Sequence, residues 1–472
     1  MTSTARPSRR LPVLLFLLVW LSAAWFGSWE FNPNNATRLF AAISLVEDGD
    51  ATIDEFAALT IDRAQFDGHV FLDKAPGMTL MAVPAVAAAT WLGGERSATV
   101  AKVFGDPQLA RFLRVRQRLA VATGPAILTA VAAVLLYDLA LGLTGSAVAA
   151  LFAALAYALG TPAWGWSTTI TGHAPVAALF VIAVWAFHRQ GARWAMLGGA
   201  ALGWAVVVEY QAVLAGSVIA GWAAWRVWPL PDRWRILGLA SAGGVAALLL
   251  MLGYNLLAFG TPFRIAYAGV QGFEGMQQGL FGLGWPRPRI LIEILIGDRR
   301  GLLWVAPVLL LAPLGWSLLA DRPRDRGLAI MATAVVAIVL LVNAAYVYWD
   351  GGNATGPRHA LPLVGLAALG LAPAWQAGGR TRIAAAALLA VSIAINLMIA
   401  AAEVFAPPEY RWPLYSAIYD LRFSRGDLRT WPGEWLGWTP WHGFQLYLVV
   451  AVPLLVLLIA GARQADVRRG SS

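Results

Sequence analysis

The sequence predicts an all-α polytopic membrane protein with about 12 transmembrane helices, and three observations predict it. Of 472 residues, 59% are hydrophobic and 13% charged, where a soluble domain is roughly half apolar and about a quarter charged. The apolar excess, a mean hydropathy of +0.64, is spread along the chain instead of forming one anchor. The short polar connections alternate between basic and non-basic, as positive-inside topology requires.

Apolar segments lie at roughly 11–29, 76–93, 117–139, 145–160, 167–187, 194–209, 211–227, 236–258, 301–319, 328–348, 359–375, 383–402 and 443–462. The first follows Arg9-Arg10 and reads as an uncleaved span, not a signal peptide cut near Ser22-Ala23-Ala24. Basic connections at Arg189 to Arg193, Arg226 to Arg235, Arg322 to Arg326 and Arg380 to Arg382 are assigned to the inside. The tail, with Arg463, Arg468 and Arg469, and the N-terminus, with Arg6, Arg9 and Arg10, join them there.

Two inside ends require an even number of crossings, so one segment does not cross. Segment 76–93 is chosen, because it opens at Pro76-Gly77, contains Pro84 and ends at Gly93-Gly94. It is read as a helix in the outer leaflet; the alternative is a full crossing there with a re-entrant hairpin around 161–175. The chain then reads as one transmembrane domain, 1–472, with no separate soluble domain. Its large outer loops are 30–116, 259–300 and an aromatic loop at 403–442. The first outer loop should carry juxtamembrane helices, since Leu39, Ile43 and Val46 share one helical face. The arrangement leaves one basic stretch, Arg111 to Arg118, outside.

With no cysteine there is no disulfide framework and no thiolate chemistry. A net charge of +9 in such a chain serves topology and anionic lipid, not nucleic acid. No P-loop, dinucleotide fingerprint or His-Glu-x-x-His motif is present, which argues against a nucleotide substrate.

The unusual chemistry sits in the outer loops. The first is rich in carboxylates, among them Asp54, Asp62 and Asp67, and holds Arg38; it ends in Asp73-Lys74-Ala75-Pro76-Gly77. A lysine there, running into an apolar helix, stands at headgroup depth and suits a lipid phosphate. His173 opens a span, and Glu209-Tyr210 interrupts a long apolar stretch; ionisable groups at such depth pair or face a cavity. Tyr346 and Tyr348 precede Asp350-Gly351-Gly352, and Arg358-His359 begin the next span. Aromatics with glycine suit a sugar ring, and a guanidinium suits a phosphate.

The spacing Gly68, Phe71, Asp73-Lys74-x-Pro76 after the first span, together with the topology, resembles the GT-C superfamily of membrane glycosyltransferases, in particular the lipid A aminoarabinose transferases and protein O-mannosyltransferases. The resemblance implies transfer of a sugar from a polyprenyl-phosphate donor to an extracytoplasmic acceptor hydroxyl. It implies an inner-membrane protein with its site facing the periplasm. Lys74 would approach the donor phosphate, with Arg358 and Arg38 assisting; Asp73, Tyr210, Asp350 and His359 would line the substrate site. Glu209 and His173 would order the sugar; no cofactor is required, and a divalent metal is compatible. Gly49-Asp50 fits the family pattern, but Asn34-Asn35 stand where the family has an acidic pair. An amide cannot act as a base, so either the base lies elsewhere in the loop, at Asp62 first and then Asp54 or Asp67, or the chain is not an active transferase. The acceptor, whether lipid, glycan or protein, is not specified. A transporter or flippase of an amphiphilic substrate is the alternative. It would call for internal repeats with broken helices, and no clear repeat is visible.

Overall fold

The computed structural model describes residues 10–27 and 29–470, so Arg6 and Arg9 of the topology argument lie outside the described residues. α1 (Arg10–Trp25) runs to the loop-rich end of the molecule. α2 (Pro33–Glu47) starts there, with Pro33 in its first turn and the Asn32 side chain accepting a hydrogen bond from the Asn35 amide. A short antiparallel hairpin follows, β1 (Ala64–Phe66) and β2 (His69–Phe71). It leads into α3 (Gly77–Gly93), which packs against α2 and α4 (Pro107–Thr123).

α5 (Pro125–Thr144), α6 (Ala147–Leu159), the short α7 (Ala163–Trp166), α8 (His173–His188), α9 (Ala192–Val208), α10 (Ala212–Val227) and α11 (Arg233–Phe259) come next. α12 (Pro288–Ile296), α13 (Leu302–Val305), α14 (Ala312–Ala320), α15 (Arg326–Ala345), α16 (Val364–Gln376), α17 (Gly379–Ala402), α18 (Trp431–Leu436) and α19 (Pro440–Gly470) complete the chain. Five helical stretches are long and apolar enough to cross a membrane: α4 with α5, α11, α15, α17 and α19; several shorter apolar helices accompany them. One hydrophobic cluster runs from Leu11 to Ala462. The protein is a predominantly helical polytopic membrane protein.

Three expected spans are broken, each for a local reason. The segment expected at 117–139 divides at Gly124-Pro125, where a proline opens α5. Its first part belongs to α4, an amphipathic helix outside the apolar run. The segment expected at 301–319 breaks at Ala306-Pro307. Freed backbone at that depth needs partners. α17 supplies them: Ser392 Oγ accepts from Val308 N at 3.0 Å, and Asn396 Nδ2 donates to Val305 O at 2.7 Å. The segment expected from 359 begins as a tight turn over Arg358–Leu363 containing Pro362, and α16 starts only at Val364.

The polar segments sort to two ends. At one end the three large loops knit together through isolated pairings of Ala64 with Val270 and Leu283 with Tyr346 and through ion pairs. The basic stretch of α4 belongs here and is neutralised: Arg114 meets Glu30 at 2.7 Å, Arg116 meets Glu47 at 3.6 Å, and Arg118 grips Glu434 at 2.7 Å. At the opposite end the short basic connections meet. Arg189 pairs with Asp138 at 2.5 Å, and Arg322 donates to Leu143 O at 3.0 Å. Asp466 of α19 caps the start of α6, accepting from Ser146 Oγ at 2.6 Å.

Candidate active site

At the loop-rich end a cavity of about 270 Å³ opens between parts of the chain more than 300 residues apart. The first turn of α2 contributes Asn34. Asp62 comes from the segment entering the hairpin, and Asp73 and Lys74 from the segment leaving it. The loop after α11 brings Tyr267, Phe273 and Met276. The turn after α15 brings Tyr346, Tyr348, Gly351, Arg358 and His359. Chain geometry explains the meeting: β1 pairs with Val270, and Leu283 pairs with Tyr346, so the hairpin, the middle loop and the glycine turn are stitched side by side.

The charged core is a continuous chain of contacts. Glu209, 5% exposed, meets Arg38 Nη2 at 3.3 Å. Arg38 Nη1 donates to both the backbone and side-chain oxygens of Asn34 at 2.6 Å. Asn34 Nδ2 donates to Asp62 Oδ2 at 3.2 Å, and Lys74 Nζ lies 3.5 Å from the same oxygen. Lys74 is also tightly paired with the fully buried Asp73, and stands 6.0 Å from the Phe273 ring centroid. Burial pushes the Asp73 carboxyl above its usual range, against the pull of Lys74. Burial lowers Lys74, but the charges of Asp62 and Asp73 outweigh it and hold the ammonium above its usual value, so it stays protonated at neutral pH.

Arg358 forms no ion pair among the described residues, and its buried Nε has no hydrogen-bond partner. Its side chain lies against Gly351, where an added Cβ would fall 2.8 Å from Nε. Gly351 has a φ of 74°, so glycine serves both the backbone and the approach. Behind this turn Arg300, 1% exposed, donates to the carbonyls of Asp350 and Gly352 at 2.6 Å each.

The expected residues divide clearly. Asp62, Asp73, Lys74, Arg358 and His359 line the cavity together. Asp350 contributes to the wall, but its carboxylate is taken by Arg299 at 2.8 Å. Arg38 is buried behind Asn34, and Glu209 is its ion-pair partner. Glu209 and His173 border a separate apolar cleft of about 30 Å³, which meets the main cavity at His359. There the His173 and His359 rings pack edge-on at 5.1 Å. Tyr210 stacks edge-on with Tyr267, which reaches the cavity in its place.

Asp54 and Asp67 stand outside the cavity. Asp54 is exposed and bound to His69 Nδ1 at 2.6 Å, which raises the imidazole above its usual value. Asp67 sits at the hairpin tip with a φ of 51°, 85% exposed, facing Arg264 at 3.2 Å. Arg299 and Arg300 do not line the cavity; they pin the glycine turn. Sequence reasoning missed Tyr267, Phe273 and Met276, which lie in an irregular loop with no periodicity to mark an inward face. Among the described residues no group of three or more His, Asp or Glu side chains gathers as a metal site.

The fold and this cavity define a polytopic membrane protein with a charged, aromatic-walled site at its loop-rich end. The chain is similar in structure to ArnT from Cupriavidus metallidurans bound to undecaprenyl phosphate, with a TM-score of 0.51 and 16% identity over 98% of this chain and 74% of that one. The apo form of that protein gives a TM-score of 0.51 and 14% identity over 97% and 75%. What these chains share at such identity is the fold. No family model matches the chain, and no curated protein matches it in sequence.

Proposed function

We propose that this protein is a glycosyltransferase that moves a sugar from a polyprenyl-phosphate donor to a hydroxyl acceptor at the extracytoplasmic face. The observation that carries the reading is the meeting of Asp62, Lys74 and Arg358, which has no ion pair among the described residues, in one aromatic-walled cavity at the loop-rich end. The undecaprenyl phosphate in the ArnT structure supports the donor class by analogy.

The donor phosphate sits between Lys74 and Arg358, and the sugar lies against Tyr346, Tyr348 and Phe273. The acceptor oxygen attacks the anomeric carbon from the Asp62 side, and Asp62 takes the hydroxyl proton. The bond from the anomeric carbon to the phosphate oxygen breaks, with its electron pair leaving on the lipid phosphate. The anomeric configuration inverts. Lys74 and Arg358 stabilise the charge that gathers on the departing phosphate, an electrostatic contribution of about 10²–10³ in rate per donor group. The general base adds about 10²–10⁴.

The test is turnover by the purified, nanodisc-reconstituted protein of undecaprenyl-phosphate-linked hexoses and pentoses, followed by release of undecaprenyl phosphate. Wild type is expected to consume at least one, Asp62→Asn to lose turnover while still binding undecaprenyl phosphate, and Arg358→Ala to lose that binding. Full turnover by Asp62→Asn would remove the base assignment. Unchanged binding by Arg358→Ala would remove the phosphate site.

A further inference from the structure

The residue that replaces an acid at the start of α2 has its own role. Arg38 Nη1 donates to Asn34 Oδ1 at 2.6 Å, and a guanidinium cannot accept. The oxygen of the Asn34 amide therefore faces Arg38, and its NH₂ faces Asp62. Arg38 is itself fixed, 1% exposed and anchored by Glu209 at 3.3 Å. The next residue has a separate duty: Asn35 Oδ1 accepts from Ile170 N at 2.8 Å, and its Nδ2 donates to Trp29 O at 3.2 Å.

Among the described residues, the Asp62 carboxylate receives its partners on one side only. Asn34 Nδ2 at 3.2 Å and Lys74 Nζ at 3.5 Å both meet Oδ2. The Asp62 amide is turned inward to Thr60 Oγ1 at 3.1 Å, which sets the backbone beneath the carboxylate. Both contacts thus fall on Oδ2, and among the described residues none falls on Oδ1.

We propose that Asn34 is a positioning residue for Asp62: its amide, locked by Arg38, presents its NH₂ to the carboxylate and so holds it with one oxygen turned to the acceptor. The proposal rests on the reading of Asp62 as the base. Other charged or titratable groups facing this carboxylate are Lys74 and Asp73 from the segment before α3, Arg38 from α2 with Glu209 behind it, and Arg358 across the cavity. His359, Tyr267, Tyr346 and Tyr348 complete the wall.

Asn34→Asp keeps the shape and reverses the chemistry. It sets two carboxylates about 3 Å apart, and such a pair retains a proton to higher pH than either alone. Two readouts follow. First, dicyclohexylcarbodiimide reacts with protonated carboxyl groups, and mapped labelling at positions 34 and 62 is expected to rise at least about fivefold over wild-type labelling of Asp62 at the same neutral pH. Asn34→Leu, which only removes the donor, is expected to raise labelling at Asp62 by less. Second, for any donor the wild type consumes, Asn34→Asp is expected to lower kcat about tenfold or more at neutral pH with KM little changed, and to recover as pH rises.

Unfolding midpoints in detergent establish that each variant folds. The labelling readout needs no donor, so it decides the matter whichever sugar is used. Labelling unchanged in both variants would overturn the proposal, as would an Asn34→Asp loss equal at every pH. If Asp62→Asn keeps turnover, the base reading fails and Asn34 falls with it. If Asp62→Asn is inactive while Asn34→Asp matches wild type, this inference alone fails.

Discussion

Gly351→Ala tests the position of Arg358 without touching the arginine. The substitution carries two separable costs. Gly351 has a φ of 74°, and an L-residue in that region costs about 1–2 kcal/mol. The new Cβ would lie 2.8 Å from Arg358 Nε, 2.9 Å from Cγ and 3.1 Å from Cδ. Ordinary contact begins at 3.4 Å, so the guanidinium must retreat by about 0.6 Å. A misplacement of about 1 Å in a catalytic array can cost about 10² in rate, so a loss of about tenfold in turnover is expected. Gly260→Ala is the control: its φ of 67° imposes the same backbone strain, but its Cβ meets nothing within 4 Å. Thermal unfolding in detergent should show similar destabilisation for both variants. Undecaprenyl phosphate binding and donor turnover should fall for Gly351→Ala alone. Equal activities in the two variants would show that the placement of Arg358 does not matter to the reaction.

Other expectations follow from single contacts. Arg38→Met strips the partner from the buried Glu209, and breaking such a pair costs about 3–5 kcal/mol, so a large fall in the unfolding midpoint is expected together with lost turnover. Gly172→Ala attacks the same pair from behind, since its Cβ would fall 2.3 Å from Glu209 Oε1; it should reproduce part of that destabilisation. Asp67→Ala, at an 85% exposed hairpin tip, should leave turnover within about twofold and stability within about 0.5 kcal/mol. The His69–Asp54 pair carries a pH signature. Because His69 is raised above its usual value by Asp54, its contribution is complete below the ordinary histidine pKa and fades as pH rises through the raised one. Asp54→Asn should therefore lower the unfolding midpoint in mildly acidic buffer and have little effect in alkaline buffer, and the opposite order would contradict the pairing.

Much of the fold was legible because a bilayer imposes so few solutions on an apolar chain. Hydropathy located the helices, and the basic connections marked the end where they gather. Hydropathy does not register where a helix must break. Pro307 and the Gly124-Pro125 step interrupt runs that look continuous by composition, and the interruption at 306–308 survives because Ser392 and Asn396 on a distant helix satisfy it. The basic stretch of α4 looked misplaced outside because its neutralising acids, Glu30, Glu47 and Glu434, are remote in sequence.

The site was legible where a residue type was costly in its setting. Lys74 and Arg358 stood out for that reason, and both reach the cavity. Among many loop carboxylates, the residue pattern favoured Asp62, yet nothing in it kept Asp54 and Asp67 out of the cavity; Asp67 sits at the exposed hairpin tip, and Asp54, before the hairpin, is taken by His69 at the surface. Asn34 read as a missing acid, and only its contact with Arg38 revealed which way the amide faces. Glu209 stood out correctly as an expensive carboxylate, but sequence could not tell a cavity wall from an ion pair.

The most direct measurement is an electron-microscopy structure of the nanodisc-embedded protein with undecaprenyl phosphate. The account expects the phosphate within about 3–4 Å of both Lys74 Nζ and the Arg358 guanidinium, with Asp62 Oδ1 facing the open space beside it. A headgroup seated elsewhere, with the cavity between Lys74 and Arg358 left empty of lipid phosphate at saturating concentration, would contradict it.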